Sequence, residues 1–347
     1  MSSIFSGVAL SAIAGLGTGS ALWPMKKMRQ YKFEHYWFIG MLPLFIIPWV
    51  VVLAGVGNPW AAYAAVGWKP LIISNLFAVG WGVANVLAGR CAERIGLSLT
   101  GAILTGVGAS LAVILPMIFK GTGLFENSPD IFSLAGLTVL SGVAIMLGGV
   151  FLAALAGFGR EKIANQRSEK YPTVVCAPAG SFRGGLVMAI IAGALSVGPS
   201  LAFVYSQGPI IAAMKAQGAG VISANFGVWA GGFVGGAVIN LAYPVWLIIR
   251  KRSWSVFFQK KSEAALALLI GSQLIVAFAL QGLGMVALGA VGASVGVGIA
   301  QAMQILGGQG AGFISGEWKG IGGKPRARMI AAVIFLFFAI VIMVRAR

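Results

Sequence analysis

Charge is scarce in this sequence. Only 10% of its 347 residues are Asp, Glu, Lys or Arg, where soluble domains carry about 25%. Just eight are acidic, one is a histidine (His35), and two are cysteines (Cys91 and Cys176). Each shortage excludes something. With no CxxC pair and no His/Cys cluster, neither a zinc site nor a disulfide framework is expected. The eight carboxylates are Glu34, Glu93, Glu126, Asp130, Glu161, Glu169, Glu263 and Glu317, and all fall at the ends of apolar runs or between them. That pattern excludes a mid-membrane proton relay of Asp or Glu. It also leaves no acid–base pair or nucleophile–histidine set inside an apolar segment. The chain therefore reads as a non-enzyme with no metal and no cofactor.

What the sequence has is apolar length. Hydrophobic residue types make up 59% of it, and mean hydropathy is +0.92. A bilayer-spanning helix needs about 20 apolar residues. By that ruler the chain holds ten runs, at 4–22, 36–55, 69–90, 97–119, 132–157, 183–206, 221–249, 263–283, 286–306 and 328–344. Only "GLGM" separates the eighth from the ninth. The expected fold is an all-α polytopic membrane protein with ten transmembrane helices. The 51 glycines suit close helix packing in lipid. The longest hydrophilic stretch, residues 160–182, divides the chain into five-helix halves at 1–159 and 183–347. "AIAGLGTGS" in the first run resembles "IIAGALSVG" in the sixth. Halves with an odd number of helices face opposite ways across the membrane, the inverted-repeat arrangement of secondary transporters.

The net charge of +17 does not call for nucleic acid, because the basic residues sit in connections between apolar runs. Five of the 25 lysines and arginines (Lys69, Lys120, Lys215, Arg345, Arg347) lie in one set of alternate loops and the tail. The other twenty lie in the opposite set, which is therefore expected on the cytoplasmic side, with both termini outside. The cluster "KKMRQYK" follows the first run, the reverse of a cleavable signal, so the first helix is expected to be retained.

Polar groups inside the runs are neutral. The third carries Asn75, Trp81 and Asn85; the sixth carries Ser196, Ser200, Phe203 and Gln207 on one helical face. The seventh carries Asn225, Trp229 and Asn240 on one face, the eighth Gln281, and the ninth Gln301 and Gln304. Two readings stand for each. Amides and hydroxyls join helices at roughly 1 kcal/mol or less apiece. Amides with an aromatic face also supply what a polyhydroxylated, uncharged ligand needs. Pro199 is expected to break the sixth helix, and Pro43 and Pro48 to interrupt the second. "GLGTGS" follows no strand, so it is no dinucleotide loop, and "GIGGKP" lacks the P-loop Ser or Thr. "GGFVGG" at 231–236 reads as close helix contact.

Three stretches carry a family resemblance. They are "PMKKMRQYKFEHYWFIGMLPLFIIPW", "WGVANVLAGRCAERIGLSLTGAI" and "SGEWKGIGGKP", with "GGAVINL" in support. In order and spacing they resemble the bacterial L-rhamnose–proton symporters of the drug/metabolite transporter superfamily. The family's eighth helix is richer in aromatics than "IVAFALQGLG" here, where Gln281 keeps an amide. The resemblance implies two inverted five-helix repeats in the bacterial inner membrane. It also implies a central site for a neutral sugar, L-rhamnose or a related 6-deoxy sugar, and symport with protons. It points to Glu317 as the coupling carboxylate, against the reading of an interfacial ion pair with Lys319; Glu93 and His35 are the other ionisable candidates. The competing functions are an exporter of the same superfamily and a non-transporting membrane scaffold.

Overall fold

The structure, a computed structural model, describes residues 2–95, 97–120, 128–168, 182–289, 292–316 and 318–345. Among them every regular element is helical. In chain order these are α1 (Ser2–Ser20), α2 (Phe33–Gly55), α3 (Pro59–Val66), α4 (Trp68–Ile95), α5 (Leu97–Ile118), α6 (Leu134–Ser168) and α7 (Phe182–Leu195). The second half holds α8 (Gly198–Ala216), α9 (Val221–Gly232), α10 (Val234–Lys251), α11 (Val256–Gln259), α12 (Lys261–Leu288), α13 (Val297–Ile314) and α14 (Gly323–Val344). A 3₁₀ turn, Trp23–Lys27, follows α1, and a π-helical turn, Gly292–Gly296, precedes α13.

Among the described residues, seven helical segments are long and apolar enough to cross a bilayer, with α7 and α8 counted as one; α9 and α10 together form an eighth, bent by 57°. The chain is an integral membrane protein. These spans correspond to eight of the ten expected runs. The fourth run supplies the shorter apolar helix Ile103–Ile118, and the ninth is the π turn continued by α13.

Local chemistry explains the ends. Asn58 caps α3, its side-chain oxygen accepting from the Ala61 N–H at 3.0 Å, with Pro59 in the first helical position. Ser133 caps α6 in the same way through the Gly136 N–H, also at 3.0 Å. Gly289 ends α12 at φ 62°, a backbone conformation that side chains with a Cβ resist. The turn therefore comes after Leu288, and "GLGM" lies within α12. Gly282 and Gly284 are not turn glycines; they admit close neighbours, Asn225 and Phe203 at the first, Gly7 and Ser11 of α1 at the second.

Prolines act as expected in one helix and not in the other. The sixth run breaks at Ser196–Val197, just before Pro199, whose missing N–H cannot bond back to Leu195. In the second run the expected interruption does not occur: α2 continues through Pro43 and Pro48. Two lost bonds are tolerated in that 23-residue helix, which packs along α10 and α12. Gly40 on α2 meets Gly271 on α12 backbone to backbone beside Pro43.

The seventh run, expected as a single helix, breaks at Phe233. Four glycines flank the break. A break in the membrane exposes backbone groups that lipid cannot satisfy, and here α4 supplies the partners, with Tyr63 of α3 bracing α9 just before it. Asn75 donates to the Gly231 carbonyl at 2.8 Å and accepts from the Gly235 N–H at 2.7 Å. Ser74 donates towards the Gly232 carbonyl at 3.2 Å, and Tyr63 to the Gly227 carbonyl at 2.8 Å. The "GGFVGG" contact is thus close, as expected, and also kinked.

At the end of the bundle bearing the basic loops, two buried carboxylates pin connections together. Glu263 accepts from the backbone N–H groups of Arg29, Gln30 and Tyr31 at 3.0, 3.1 and 2.8 Å. Glu34 pairs with Lys251 at 2.9 Å. Burial, with the Glu263 charge nearby, pushes the Tyr31 phenol above its usual range, which keeps it neutral.

Candidate functional site

Near the middle of the bundle, α4, α8, α9 and α12 bring aromatic rings and amides together. Trp229 on α9 is sandwiched. Phe203 of α8 stacks on one face, with centroids 4.9 Å apart and planes at 28°; Phe278 of α12 stacks at 5.0 Å and 21°. Phe233, at the helix break, lies 4.7 Å from the Trp229 ring. Trp81 of α4 closes the cluster edge-on to Phe278 at 6.0 Å and to Phe233 at 6.5 Å. Phe233, four residues after Trp229, shares its helical face.

Asn225 lies one turn before Trp229 on the same face. It is 2% exposed, and neither atom of its carboxamide has a hydrogen-bond partner among the described residues. The same holds for the Trp229 indole N–H and for Oε1 of Gln207. Gln207 is one turn after Phe203 on α8. Gln281 on α12, also buried, neighbours Gly282, where an added Cβ would stand 2.6 Å from the Asn225 amide nitrogen and 2.6 Å from Phe203. A buried polar atom without a partner costs roughly 1–3 kcal/mol. Here such atoms concentrate beside stacked aromatic rings. The set offers neutral donors and acceptors, and among the described carboxylates none approaches it. Its chemistry fits an uncharged ligand rich in hydroxyls with one apolar face.

The comparison with known proteins decides the family: the L-rhamnose-proton symport protein family matches residues 2–346. The chain belongs to this family. Similar proteins include the L-rhamnose-proton symporter of Shigella dysenteriae, 26% identical over 223 residues, covering 63% of this chain and 60% of that protein. The L-rhamnose-proton symporter of Pectobacterium carotovorum is 25% identical over 221 residues, again 63% and 60% of the two chains. That of Escherichia coli O1:K1 is 26% identical over 223 residues. The matched region spans about 60% of the length of these relatives.

Of the residues picked from sequence in this family member, Trp81, Asn225 and Trp229 join the cluster, with Gln281 and Gln207 beside it. Ser200 is buried one turn before Phe203 on α8. Others are placed elsewhere or are engaged by protein. All of the Asn75 amide goes to the Leu71 and Gly231 carbonyls and the Gly235 N–H. Asn85 donates to Asn240 at 2.8 Å, and the same Asn240 oxygen receives the Trp37 indole N–H at 3.1 Å. Ser196 bonds back to the Gly193 carbonyl at 2.7 Å and faces Gly108 of α5. Gln301 is half-buried on α13, and Gln304, exposed one turn on, lines a separate cleft.

Among the coupling candidates, His35 is buried and engaged at both nitrogens. Nδ1 accepts from the Lys32 N–H at 3.2 Å, so the neutral ring carries its proton on Nε2, which donates to Ser253 with Oγ at 3.0 Å. Glu317, the side chain of Glu93 and residues 169–181 of the connecting loop lie outside the described residues. The residues sequence reasoning missed are Phe233 and Phe278. Phe233 carried a signal, as the one bulky residue inside "GGFVGG". Phe278 carried little, being one apolar residue among many in α12.

Proposed function

We propose that this protein imports a neutral sugar, L-rhamnose or a related 6-deoxy sugar, by proton symport with alternating access across a bacterial inner membrane. The observation that carries the reading is the unpartnered Asn225 amide beside the Trp229 sandwich. A 6-deoxy sugar presents hydroxyls to amides and a methyl-bearing apolar face to rings, and the cluster offers both partners. Asn225, Trp229, Gln281, Trp81 and Gln207 are its sugar-contacting residues, with Ser200 on the same wall. The names of the relatives agree with this substrate.

The fold of the proposal is ten spans in two inverted repeats, 1–159 and 183–347, joined by the cytoplasmic segment 160–182. The packing supports it, because helix partners keep their pairing when the halves are exchanged. The first span packs on the eighth and ninth, as α1 on α12 and α13; the sixth packs on the third and fourth, as α7 on α4 and α5. The second packs on the eighth, as α2 on α12, and the seventh on the third, as α10 on α4. The fifth and tenth, α6 and α14, pack on each other. The twenty-to-five distribution of basic residues supports external termini. Glu317 is the first candidate for the proton, with Glu93 and His35 behind it; as sequence neighbours, Lys319 and Trp318 set the environment in which a carboxylate must titrate.

Uptake of a labelled panel of 6-deoxy and ordinary hexoses into proteoliposomes tests the substrate. The expected outcome is saturable L-rhamnose uptake that other 6-deoxy sugars compete with best. Competition by lipophilic cations, with none by sugars, contradicts it.

A further inference from the structure

A cleft of about 440 Å³ lies between α1, α5, α6 and α13 and is distinct from the aromatic cluster. It is built from the last turns of α1, the first turns of α5, the later part of α6 and the later half of α13, so it lies at the end of the bundle that carries the basic loops. Its size falls within the roughly 300–1,000 Å³ of small-molecule sites. Its polar wall is neutral apart from one cation. Thr18 and Thr105 turn their hydroxyl protons to carbonyls of their own helices, at 2.9 Å to Gly15 and 2.7 Å to Gly101. Their oxygens are left as acceptors. Gln304 and Gln309 add amides.

The far wall is Trp318. It is 5% exposed, stacks on Phe313 at 4.9 Å with planes at 12°, and lies under the Arg160 guanidinium at 5.7 Å. Its indole N–H has no hydrogen-bond partner among the described residues. A buried indole N–H normally has a partner. Together the wall provides an aromatic surface with an unpartnered indole N–H buried behind it, two hydroxyl acceptors and two amides around a volume fit for a small molecule. No carboxylate among the described residues lines it.

We propose that this cleft is a second sugar site, a station between the aromatic cluster and the basic-loop end of the bundle, with Gln304 and Trp318 as its principal contacts. The inference rests on the reading that the chain carries a neutral sugar. It explains why amides on α13 stand apart from the cluster: the transported molecule meets two sets of neutral donors in sequence.

The test is equilibrium binding of labelled L-rhamnose to the purified full-length protein in detergent. Gly101 lines the cleft, and a Cβ added there meets nothing within 4 Å. Gly101→Leu therefore fills the cleft without forcing the helices apart, and Gln304→Ala removes an amide from an exposed position. Gly310→Leu, at an equally open glycine that does not line the cleft, is the control. The expected result is two sugars per chain in the unsubstituted protein and in Gly310→Leu, falling to one in Gly101→Leu. In Gln304→Ala the affinity of one site drops about tenfold. Asn225→Ala affects the other site. An unaltered binding curve in both cleft variants overturns the second site while leaving the central one standing. No saturable sugar binding by any form overturns the transport reading and the second site together.

Discussion

Replacing Asn225 by alanine separates a ligand residue from a structural one. The carboxamide is buried and unpartnered, so in the sugar-free protein it is a burden. Two buried polar atoms at roughly 1–3 kcal/mol each make that burden several kcal/mol at most. The substitution removes it and leaves a hole of roughly 40 Å³, which at about 24 cal/mol per Å³ returns about 1 kcal/mol. The balance predicts that Asn225→Ala is more stable than the parent protein, by about 1–5 kcal/mol. Affinity moves the other way. A sugar hydroxyl that loses its amide partner in a buried site costs about 1–3 kcal/mol, or about 5- to 150-fold in Kd. Thermal unfolding in detergent reads the first quantity and equilibrium sugar binding the second. Lower stability with unchanged affinity makes the amide part of the scaffold and not a ligand contact.

Asn75→Ala should behave oppositely: it uncovers a carbonyl and an N–H at the α9–α10 break, and a loss of roughly 1–3 kcal/mol is expected in the same unfolding measurement, with sugar affinity in the folded fraction unchanged. Gly271→Ala places a methyl group against the Gly40 carbonyl; overpacking of this kind costs about 1–3 kcal/mol, read as a lower unfolding midpoint, and an unperturbed midpoint contradicts the close α2–α12 contact. Ser168→Cys, at the end of α6, should resist an impermeant thiol reagent in intact cells; ready labelling reverses the orientation assigned to the basic loops.

Apolar length was the part of the fold most legible in the sequence, because a membrane span must satisfy its backbone internally and so leaves a run of about 20 apolar residues. Eight of the ten runs appear as spans. Breaks were less legible. Pro199 announced its break through chemistry local to the chain, whereas the break at Phe233 depends on Ser74 and Asn75, which belong to another helix. Pro43 and Pro48 show the reverse: a local breaker overruled by packing on α10 and α12. The site divides the same way. Spacing put Asn225 and Trp229 on one face, and they stand together. Spacing could not say that the Asn75 amide is taken up by the Gly231 and Gly235 backbone, or that of Asn85 by Asn240, since a hydrogen-bond partner on another helix leaves no mark on periodicity. Phe278 was invisible for the same reason, its role being set by the Trp229 ring it stacks on.

Sugar accumulation driven by a proton gradient distinguishes a proton-coupled importer from a passive or unrelated membrane protein. Proteoliposomes holding the full-length protein, acidic outside and alkaline inside, are given labelled L-rhamnose. Internal sugar is expected to rise above the external concentration, a protonophore to abolish the rise, and Asn225→Ala to shift the half-saturating concentration upward by about 5- to 150-fold. Sugar that only equilibrates, at a rate indifferent to the gradient, contradicts proton-coupled import.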